Sequence, residues 1–411
     1  MSGSHEQTHW RNRIRYDGKR IRPDHANIVI MLRDHEDLAG RIRYDAFANR
    51  IAVYDALPWN SSKAVRPWTD ADTSAFLVWL QELDIAIKHA GVVNTAVQHA
   101  ARQIAIHPVQ DYLYRQKWDG TPRLATALTR IFSASGDEQY LREIFLRFMV
   151  SAVARVKEPG CKVDHMLVLE GPQGCGKSRA VLTLAPYAEW YTDGIPNLGS
   201  KDAMSHVQGV WVLELPELAA MMGQATEQTK AFLSRGTDRF RPCFGRHTVT
   251  IPRQCVFVGT TNASTYLSDS TGNRRFWPVC VGKIDIVTLR TERPQLWAEA
   301  THLYDSGERW HLSGGLAEIA IIEAEQRRNV SEVECMVTNY LMQRLAEKCT
   351  SVSTEEIYRD VLKLQRVSES YGRLAAQYSR EVVNTLTGLG WTKGKVTGRG
   401  ATRKNNYYPP S

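Results

Sequence analysis

The sequence lacks the features of a secreted or membrane-spanning protein. Its seven cysteines are odd in number and scattered, and no Cys-x-x-Cys pair occurs among them, so neither a disulfide framework nor a zinc site is indicated. No apolar run approaches the roughly 20 residues that a transmembrane helix needs, and the polar, basic N-terminus has no signal-peptide core. We therefore expect a soluble protein in a reducing cytoplasm, with no membrane partner.

Internal repeats and long low-complexity tracts are also absent, which argues against a solenoid or an extended disordered chain. The charge is unbalanced, because 52 Lys and Arg residues face 44 Asp and Glu residues and give a net charge of +8. This excess favours a polyanionic partner such as nucleic acid, although basic proteins also exist for reasons of solubility. At 411 residues the chain is long enough for two or three domains.

The spacing of apolar residues divides the chain into four regions. Residues 1–60 form a basic segment with short strands, and residues 61–158 show the apolar spacing of helices. Residues 159–328 alternate short apolar strands with helical segments, which predicts an α/β domain with a mainly parallel sheet. Residues 329–411 contain helices followed by a basic hairpin, an order that resembles a winged helix-turn-helix, and end in a basic tail.

A glycine-rich segment follows the predicted strand MLVLE. Its sequence, GPQGCGKS, matches G-x-x-x-x-G-K-[ST] in full and precedes a helical segment, which is the context that a phosphate-binding loop requires. The glycines let backbone N–H groups face the phosphates, and the helix dipole adds positive potential. The residues predicted to bind nucleotide are Gly171, Pro172, Gln173, Gly174, Cys175, Gly176, Lys177 and Ser178.

Hydrolysis of ATP needs further groups near the phosphates. Lys177 is expected to bridge the β- and γ-phosphates, and the Ser178 hydroxyl to hold Mg²⁺. The strand segment VWVLELPEL supplies Glu214, expected to act on Mg²⁺ through its water shell, and Glu217, expected to polarise the attacking water. The spacing also permits exchanged roles. Asn262 follows the strand CVFVGTT and could contact the γ-phosphate or the water, with a turn-forming role as the alternative.

Together these motifs resemble the virulence-associated protein E family. The resemblance rests on GPQGCGKS, VWVLELPE, DRFRPCFGRHTVTIPR, VGTTN and STGNRRFWPV, preceded by HPVQDYL and WDGTPRL. That family consists of phage, prophage and genomic-island proteins with a superfamily 3 helicase-like AAA+ domain, related to viral primase-helicases. The resemblance implies a P-loop AAA+ ATPase core with an N-terminal, mainly helical module and a C-terminal winged-helix-like domain. Glu214 and Glu217 depart from the Asp-Glu pattern of AAA+ proteins, because Leu-Pro separates them.

The resemblance also implies an activity and partners. Related proteins form rings that hydrolyse ATP and move along DNA. We therefore expect this chain to form a homo-oligomer, specifically a hexamer. It is expected to act on single-stranded or forked DNA in a bacterial host cell. Arg274 and Arg275 follow Asn262 by about a dozen residues, where superfamily 3 proteins place an arginine finger; a local salt bridge is the alternative. No segment ahead of the helical module shows a primase carboxylate set, so a primase is expected to be a separate protein.

Two basic stretches are candidates for DNA contact. RFRPCF and TVTIPR can pair as a hairpin with Arg246 and His247 near its tip, in the interval where the resemblance places the DNA-translocation hairpin. A solvated hairpin with local ion pairs is the alternative. The hairpin's other arginines, Arg239, Arg241 and Arg253, could face a nucleotide or an adjacent subunit.

The second stretch lies near the C-terminus. It combines Lys393, Lys395 and Arg399 with a tryptophan and two tyrosines, a mixture that suits contacts with duplex or single-stranded DNA. A flexible basic tail is the alternative. Two functions therefore remain open: an ATP-dependent ring helicase, and an ATP-regulated DNA-binding switch or defence ATPase without strand separation. A small-molecule kinase is disfavoured because no lid-like segment is evident.

Overall fold

A computed structural model describes residues 10–195, 197–198, 200–242, 247–267, 272–364, 371–394 and 405–410 of the chain. Within these ranges it contains fourteen α-helices and sixteen strands, in mixed α/β order. No helix in the described ranges is both long enough and apolar enough to cross a membrane.

The first part of the chain combines a small sheet with three helices. It contains a 3-10 helix (Trp10–Arg13), β1 (Tyr16–Asp17), β2 (Arg20–Ile21), α1 (His25–Asp34), β3 (Ile42–Asp45), β4 (Arg50–Val53), β5 (Arg66–Pro67), α2 (Asp70–Glu82), α3 (Ala90–Arg102) and β6 (Ala105–Ile106). Strands β5, β4, β3 and β6 pair in that order. Leu57 and Phe76 belong to the same buried cluster. The boundary predicted at residue 60 therefore runs through a shared core.

Three helices lead from this unit to the central sheet: α4 (Pro108–Arg115), α5 (Leu124–Arg130) and α6 (Glu138–Lys157). The C-terminal two-thirds of α6 is mostly buried, and its Phe148 shares a cluster with Leu167 of the sheet. The indole N–H of Trp211 also donates to the carbonyl of Ala152 at 3.0 Å. The boundary predicted at residue 158 thus separates α6 from the sheet against which it packs.

The central unit is built on a parallel sheet. Its elements are β7 (Met166–Glu170), α7 (Lys177–Leu184), a 3-10 helix (Ala188–Trp190), β8 (Tyr191–Thr192), α8 (Lys201–His206), β9 (Val212–Leu215), α9 (Leu218–Leu233), β10 (Thr237–Phe240), β11 (Val249–Pro252), β12 (Val256–Thr261), a 3-10 helix (Asn273–Arg275), β13 (Phe276–Cys280), α10 (Ile286–Asp305) and α11 (Gly315–Gln326). Five strands pair in the order β13-β7-β12-β9-β8, all parallel. This confirms the predicted α/β unit.

Burial and edge position explain which residues form this sheet. The three central strands β7, β9 and β12 are buried at every residue, as expected when helices cover both faces. Pro278 cannot donate to a neighbouring strand, and it lies in the edge strand β13, where no such donor is needed. Because the strands are parallel, their carboxyl ends meet at one edge, the usual place for a ligand site in an α/β sheet.

The last part of the chain has its own core. It contains α12 (Glu332–Ala346), β14 (Val352–Ser353), α13 (Thr354–Asp360), α14 (Tyr371–Gly388), β15 (Thr392–Lys393) and β16 (Asn406–Tyr408). The strands form an antiparallel sheet in the order β14-β16-β15. Trp391 and Tyr407 are buried among apolar residues of the helices, and a capping box from Ser353 to Glu356 begins α13.

Candidate active site

The predicted phosphate-binding loop lies at the carboxyl edge of the parallel sheet. It connects the end of β7 to the start of α7, and the ends of β9 and β12 lie beside it. The loop borders a cavity of about 280 Å³ together with Pro216, Glu217, Thr260, Thr261 and Asn262. The structure thus brings together, at one edge, three sequence segments that motif analysis identified separately.

Glycine is required at several positions of this loop. Gly174 and Gly176 have φ angles of 80° and 103°, in the left-handed region that side chains with a Cβ atom rarely adopt. A Cβ atom at Gly171 would lie 2.5 Å from the carbonyl oxygen of Val281. The loop therefore has backbone conformations and close contacts that only glycine accommodates, as a backbone cradle for a phosphate requires.

Lys177, the first residue of α7, folds back over the loop. Its ammonium donates to the carbonyl oxygens of Gly171 and Pro172 at 2.6 and 2.8 Å, and to Oδ1 of Asn262 at 2.8 Å. Lys177 is 8% exposed, so these three acceptors replace most of its water. An ammonium that is held by neutral oxygen acceptors at a helix N-terminus is positioned to exchange them for an anionic ligand.

Glu214 lies on β9 and is completely buried. Its Oε1 accepts hydrogen bonds from the hydroxyls of Ser178 and Thr260, both at 2.7 Å. Its Oε2 accepts from the hydroxyl of Tyr191 at 2.5 Å. Motif analysis found Ser178 and Glu214 but missed Thr260 and Tyr191. Thr260 could have been identified from the sequence, because it is a polar residue inside the apolar strand segment CVFVGTT. Nothing in the sequence connects Tyr191 with the site.

Glu217 is placed differently from Glu214. It is exposed at the rim of the cavity, and its φ angle of 47° lies in the left-handed region. A non-glycine residue in that conformation costs about 1–3 kcal/mol, and such strain is found most often at functional sites. The buried Glu214 contacts Ser178, whereas the carboxylate of Glu217 is open to water.

Arg274 and Arg275 lie at the amino ends of the strands, opposite the carboxyl ends where the phosphate-binding loop lies. They immediately precede β13, whose first residue, Phe276, pairs with Met166 at the start of β7. The phosphate-binding loop follows the last residue of β7, which lies about 13 Å from the first residue of that strand at ~3.3 Å per residue. This places both arginines away from the phosphate loop of their own chain.

The two arginines also have different surroundings. Arg274 has a side chain that is 66% exposed, and its Nη2 lies 4.0 Å from Oδ2 of Asp164. Arg275 is half-buried and donates from Nε to the Ser234 hydroxyl at 2.9 Å and from Nη1 to the Gly272 carbonyl at 3.3 Å. Arg274 is therefore available to a molecule outside the chain, whereas Arg275 stabilises its own segment.

The predicted basic hairpin is present. Strands β10 and β11 pair antiparallel from Thr237 opposite Pro252 to Phe240 opposite Val249. His247 is exposed near the tip, whereas Arg246 lies outside the described residues. Near the C-terminus, Lys393 is exposed on β15, and Lys395 and Arg399 likewise lie outside the described residues.

One arginine of the hairpin region is not where the sequence suggested. Arg253 is 1% exposed, and its guanidinium donates to both carboxylate oxygens of Asp238, at 3.0 and 2.6 Å. It also lies over the ring of Phe232, 4.4 Å from the centroid. Arg253 therefore anchors the base of the hairpin in the interior and does not face a nucleotide or a neighbouring subunit, whereas Arg239 and Arg241 are exposed.

The chain is similar to one protein family and to several solved structures. The family model for the virulence-associated protein E-like domain matches residues 113–331, more than half of the chain. An apo structure of the NrS-1 C-terminal region (305–718) is 10% identical, with a TM-score of 0.47 over 90% of this chain and 95% of that one. An A-form apo structure of the same region is 11% identical, with a TM-score of 0.50 over 90% and 96%. At 11% identity, the likeness to this second structure concerns the fold alone. No curated protein matches the chain.

Proposed function

Because the chain belongs to the virulence-associated protein E-like family, we propose that it is an ATP-dependent DNA helicase of phage or mobile-element replication that acts as an oligomeric ring. One observation carries the proposal: Lys177, Ser178, Glu214 and Asn262 converge at a glycine-lined cavity on the carboxyl edge of the sheet. This arrangement joins a phosphate cradle to a carboxylate and a polar side chain from two further strands, as nucleotide hydrolysis requires.

The residues at this edge fit ATP and Mg²⁺. The glycine conformations leave room for phosphate oxygens against the backbone, and the ammonium of Lys177 supplies positive charge. The hydroxyl of Ser178 and the carboxylate of Glu214 are hard oxygen donors, which Mg²⁺ prefers. When bound, the ion would neutralise charge on the phosphates during transfer to water.

The geometry supports a division of roles between the two glutamates. The buried Glu214 orients the Ser178 hydroxyl, and these two residues would hold the ion, which would supply positive charge to the phosphates. The exposed Glu217, fixed at the cavity rim, polarises the attacking water. Asn262, already bonded to Lys177, responds to the γ-phosphate when the ammonium turns toward it.

The position of Arg274 supports a site shared between subunits. Since it lies at the opposite edge of the sheet from its own phosphate loop, it can reach a γ-phosphate only in a neighbouring copy. A closed ring, here proposed as a hexamer, provides such a neighbour for every subunit. Arg274 then acts as the arginine finger, and Arg275 braces the segment that carries it.

The remaining parts of the proposal concern architecture and DNA. The central unit is the P-loop AAA+ core, and the three helices with an antiparallel sheet after residue 331 form a winged-helix-like domain. The β10–β11 hairpin contacts the DNA backbone in the ring through His247 near its tip and through Arg246, which lies outside the described residues. The basic residues around Lys393 contact DNA at the C-terminal domain.

Hydrolysis of ATP by the purified full chain tests the enzymatic part of the proposal. We expect Mg²⁺-dependent phosphate release that single-stranded DNA stimulates. The Lys177→Ala variant should lose both nucleotide binding and hydrolysis, because the ammonium is the main cation on the loop. Hydrolysis that persists unchanged in Lys177→Ala and does not respond to DNA would contradict the proposal.

A further inference from the structure

The carboxylate of Glu214 is held by hydroxyl groups. It is completely buried, and its three hydrogen-bond donors are Ser178, Thr260 and Tyr191. Across the part of the chain that the structure describes, no lysine, arginine or histidine forms an ion pair with it. A buried carboxylate without a cationic partner is stabilised strongly by a divalent ion nearby, so the donors that fix its orientation bear directly on ion binding.

Tyr191 is the one donor that comes from outside the recognised motifs. It lies on the edge strand β8 and pairs in register with Val212 of β9. Because side chains alternate along a strand, Val212 and Glu214 point to the same face of the sheet as Tyr191. The tyrosine ring therefore extends along β9 and brings its hydroxyl to Oε2 of Glu214.

The two oxygens of the Glu214 carboxylate have different hydrogen-bond donors. Oε1 receives the hydroxyls of Ser178 and Thr260, whereas Oε2 receives the hydroxyl of Tyr191. A serine hydroxyl that donates its proton to Oε1 keeps its oxygen lone pairs for an ion. Removing the Tyr191 hydroxyl leaves Oε2 without its donor, so the orientation of the carboxylate then depends only on the two hydroxyls that donate to Oε1.

We propose that Tyr191 is a positioning residue for magnesium: by holding Oε2 of Glu214, it keeps Oε1 aimed at Ser178 and so sets the affinity of the nucleotide site for the ion. This rests on the proposed function. The observation behind it is the hydrogen bond of 2.5 Å from the Tyr191 hydroxyl to Oε2 of Glu214.

The test compares Tyr191→Phe with Tyr187→Phe. Tyr187 lies four residues earlier, is 55% exposed and packs on Trp190, so it is a matched control outside the site. Binding of a fluorescent ATP analogue is titrated in EDTA and over a range of Mg²⁺ concentrations. For Tyr191→Phe we expect a half-saturating Mg²⁺ concentration raised about tenfold or more, the loss typical of one hydrogen bond to a charged group. Affinity in EDTA should be unchanged, and Tyr187→Phe should match the wild type.

A Glu214→Gln variant separates the inference from the proposed function. If Glu214→Gln abolishes the Mg²⁺ effect and Tyr191→Phe leaves it intact, the inference about Tyr191 is wrong and the proposed function stands. If neither substitution changes the Mg²⁺ dependence, the proposed role of Glu214 is wrong as well. If Tyr191→Phe weakens binding equally in EDTA and in Mg²⁺, its role is structural and the inference also fails.

Discussion

The ammonium of Lys177 lies 2.8 Å from Oδ1 of Asn262, and this hydrogen bond joins the phosphate-binding loop to the end of the neighbouring strand β12. The two residues are 85 positions apart in the sequence, and the parallel register of β7 with β12 brings them together. Any change in the position of the lysine on nucleotide binding must therefore alter its contact with Asn262.

This contact predicts the behaviour of Asn262→Ala. Lys177 retains its two carbonyl acceptors in that variant, so nucleotide affinity should change by less than about tenfold, the effect of one hydrogen bond. Phosphate release should fall at least tenfold, since the residue proposed to respond to the γ-phosphate is gone. Fluorescence titration and phosphate-release kinetics measure the two quantities. Asn384→Ala, an exposed site on α14, is the control. An equal loss of binding and turnover would contradict the prediction.

Arg274 and Arg275 should respond differently to alanine substitution. Arg274→Ala should bind nucleotide normally and lose about 10³-fold or more in hydrolysis, as arginine-finger removal does in other nucleotide hydrolases. Arg275→Ala removes hydrogen bonds to Ser234 and Gly272 and should lower stability by about 1 kcal/mol with a much smaller effect on turnover. Denaturation and ATPase assays on both variants decide the matter. The opposite pattern would assign the finger to Arg275.

The buried pair Arg253–Asp238 predicts a large stability effect. Arg253→Met leaves the carboxylate of Asp238 buried without its cation and should destabilise the central unit by about 3–5 kcal/mol. Arg239→Met is a matched control, because Arg239 lies on β10 beside Asp238 but is exposed. Urea denaturation followed by tryptophan fluorescence measures the difference. A loss below about 1 kcal/mol for Arg253→Met would show that the pair contributes no more than a surface ion pair.

DNA contact by the C-terminal strand predicts a change in salt dependence. If Lys393 binds a phosphate, Lys393→Ala should weaken binding to forked DNA and reduce the slope of log affinity against log salt by about 0.7–0.9. Fluorescence anisotropy at several salt concentrations gives this slope. Lys63→Ala, an exposed lysine of the N-terminal unit, should leave it unchanged. Equal slopes for wild type and Lys393→Ala would remove Lys393 from the DNA surface.

A further prediction concerns His247, near the tip of the hairpin. His247 is exposed near the tip of the hairpin, so His247→Ala should weaken DNA binding. Strand separation should be reduced more than binding, because the proposed role of the hairpin is to move DNA. The same anisotropy assay and a strand-separation assay measure both effects. Unchanged strand separation would contradict a role for His247.

The sequence predicted the phosphate loop and the parallel sheet because both depend on local patterns. The G-x-x-x-x-G-K-S spacing and short buried strands are visible in the order of residues alone. The contact between Tyr191 and Glu214 was not predictable, because it depends on the pairing of a two-residue edge strand with β9. The spacing of apolar residues likewise shows that α6 has apolar faces, but it does not show that these faces pack on the central sheet. For this reason the predicted boundary at residue 158 falls between two elements that pack together.

The pairing of Arg253 with Asp238 was out of reach for the same reason. The two residues are 15 positions apart. The register of β10 with β11 places Asp238 opposite Ile251 and so brings it near Arg253, which directly follows β11. In sequence, Arg253 is one more positive charge in a basic segment.

Separation of a forked DNA duplex by the full chain tests whether the protein is a DNA motor. We expect the displaced strand to accumulate with Mg²⁺ and ATP but not with a non-hydrolysable ATP analogue, and we expect Lys177→Ala and Arg274→Ala to be inactive. If the wild-type protein binds the fork and hydrolyses ATP but displaces no strand, the chain is a nucleotide-regulated DNA-binding protein and the account of a DNA motor is wrong.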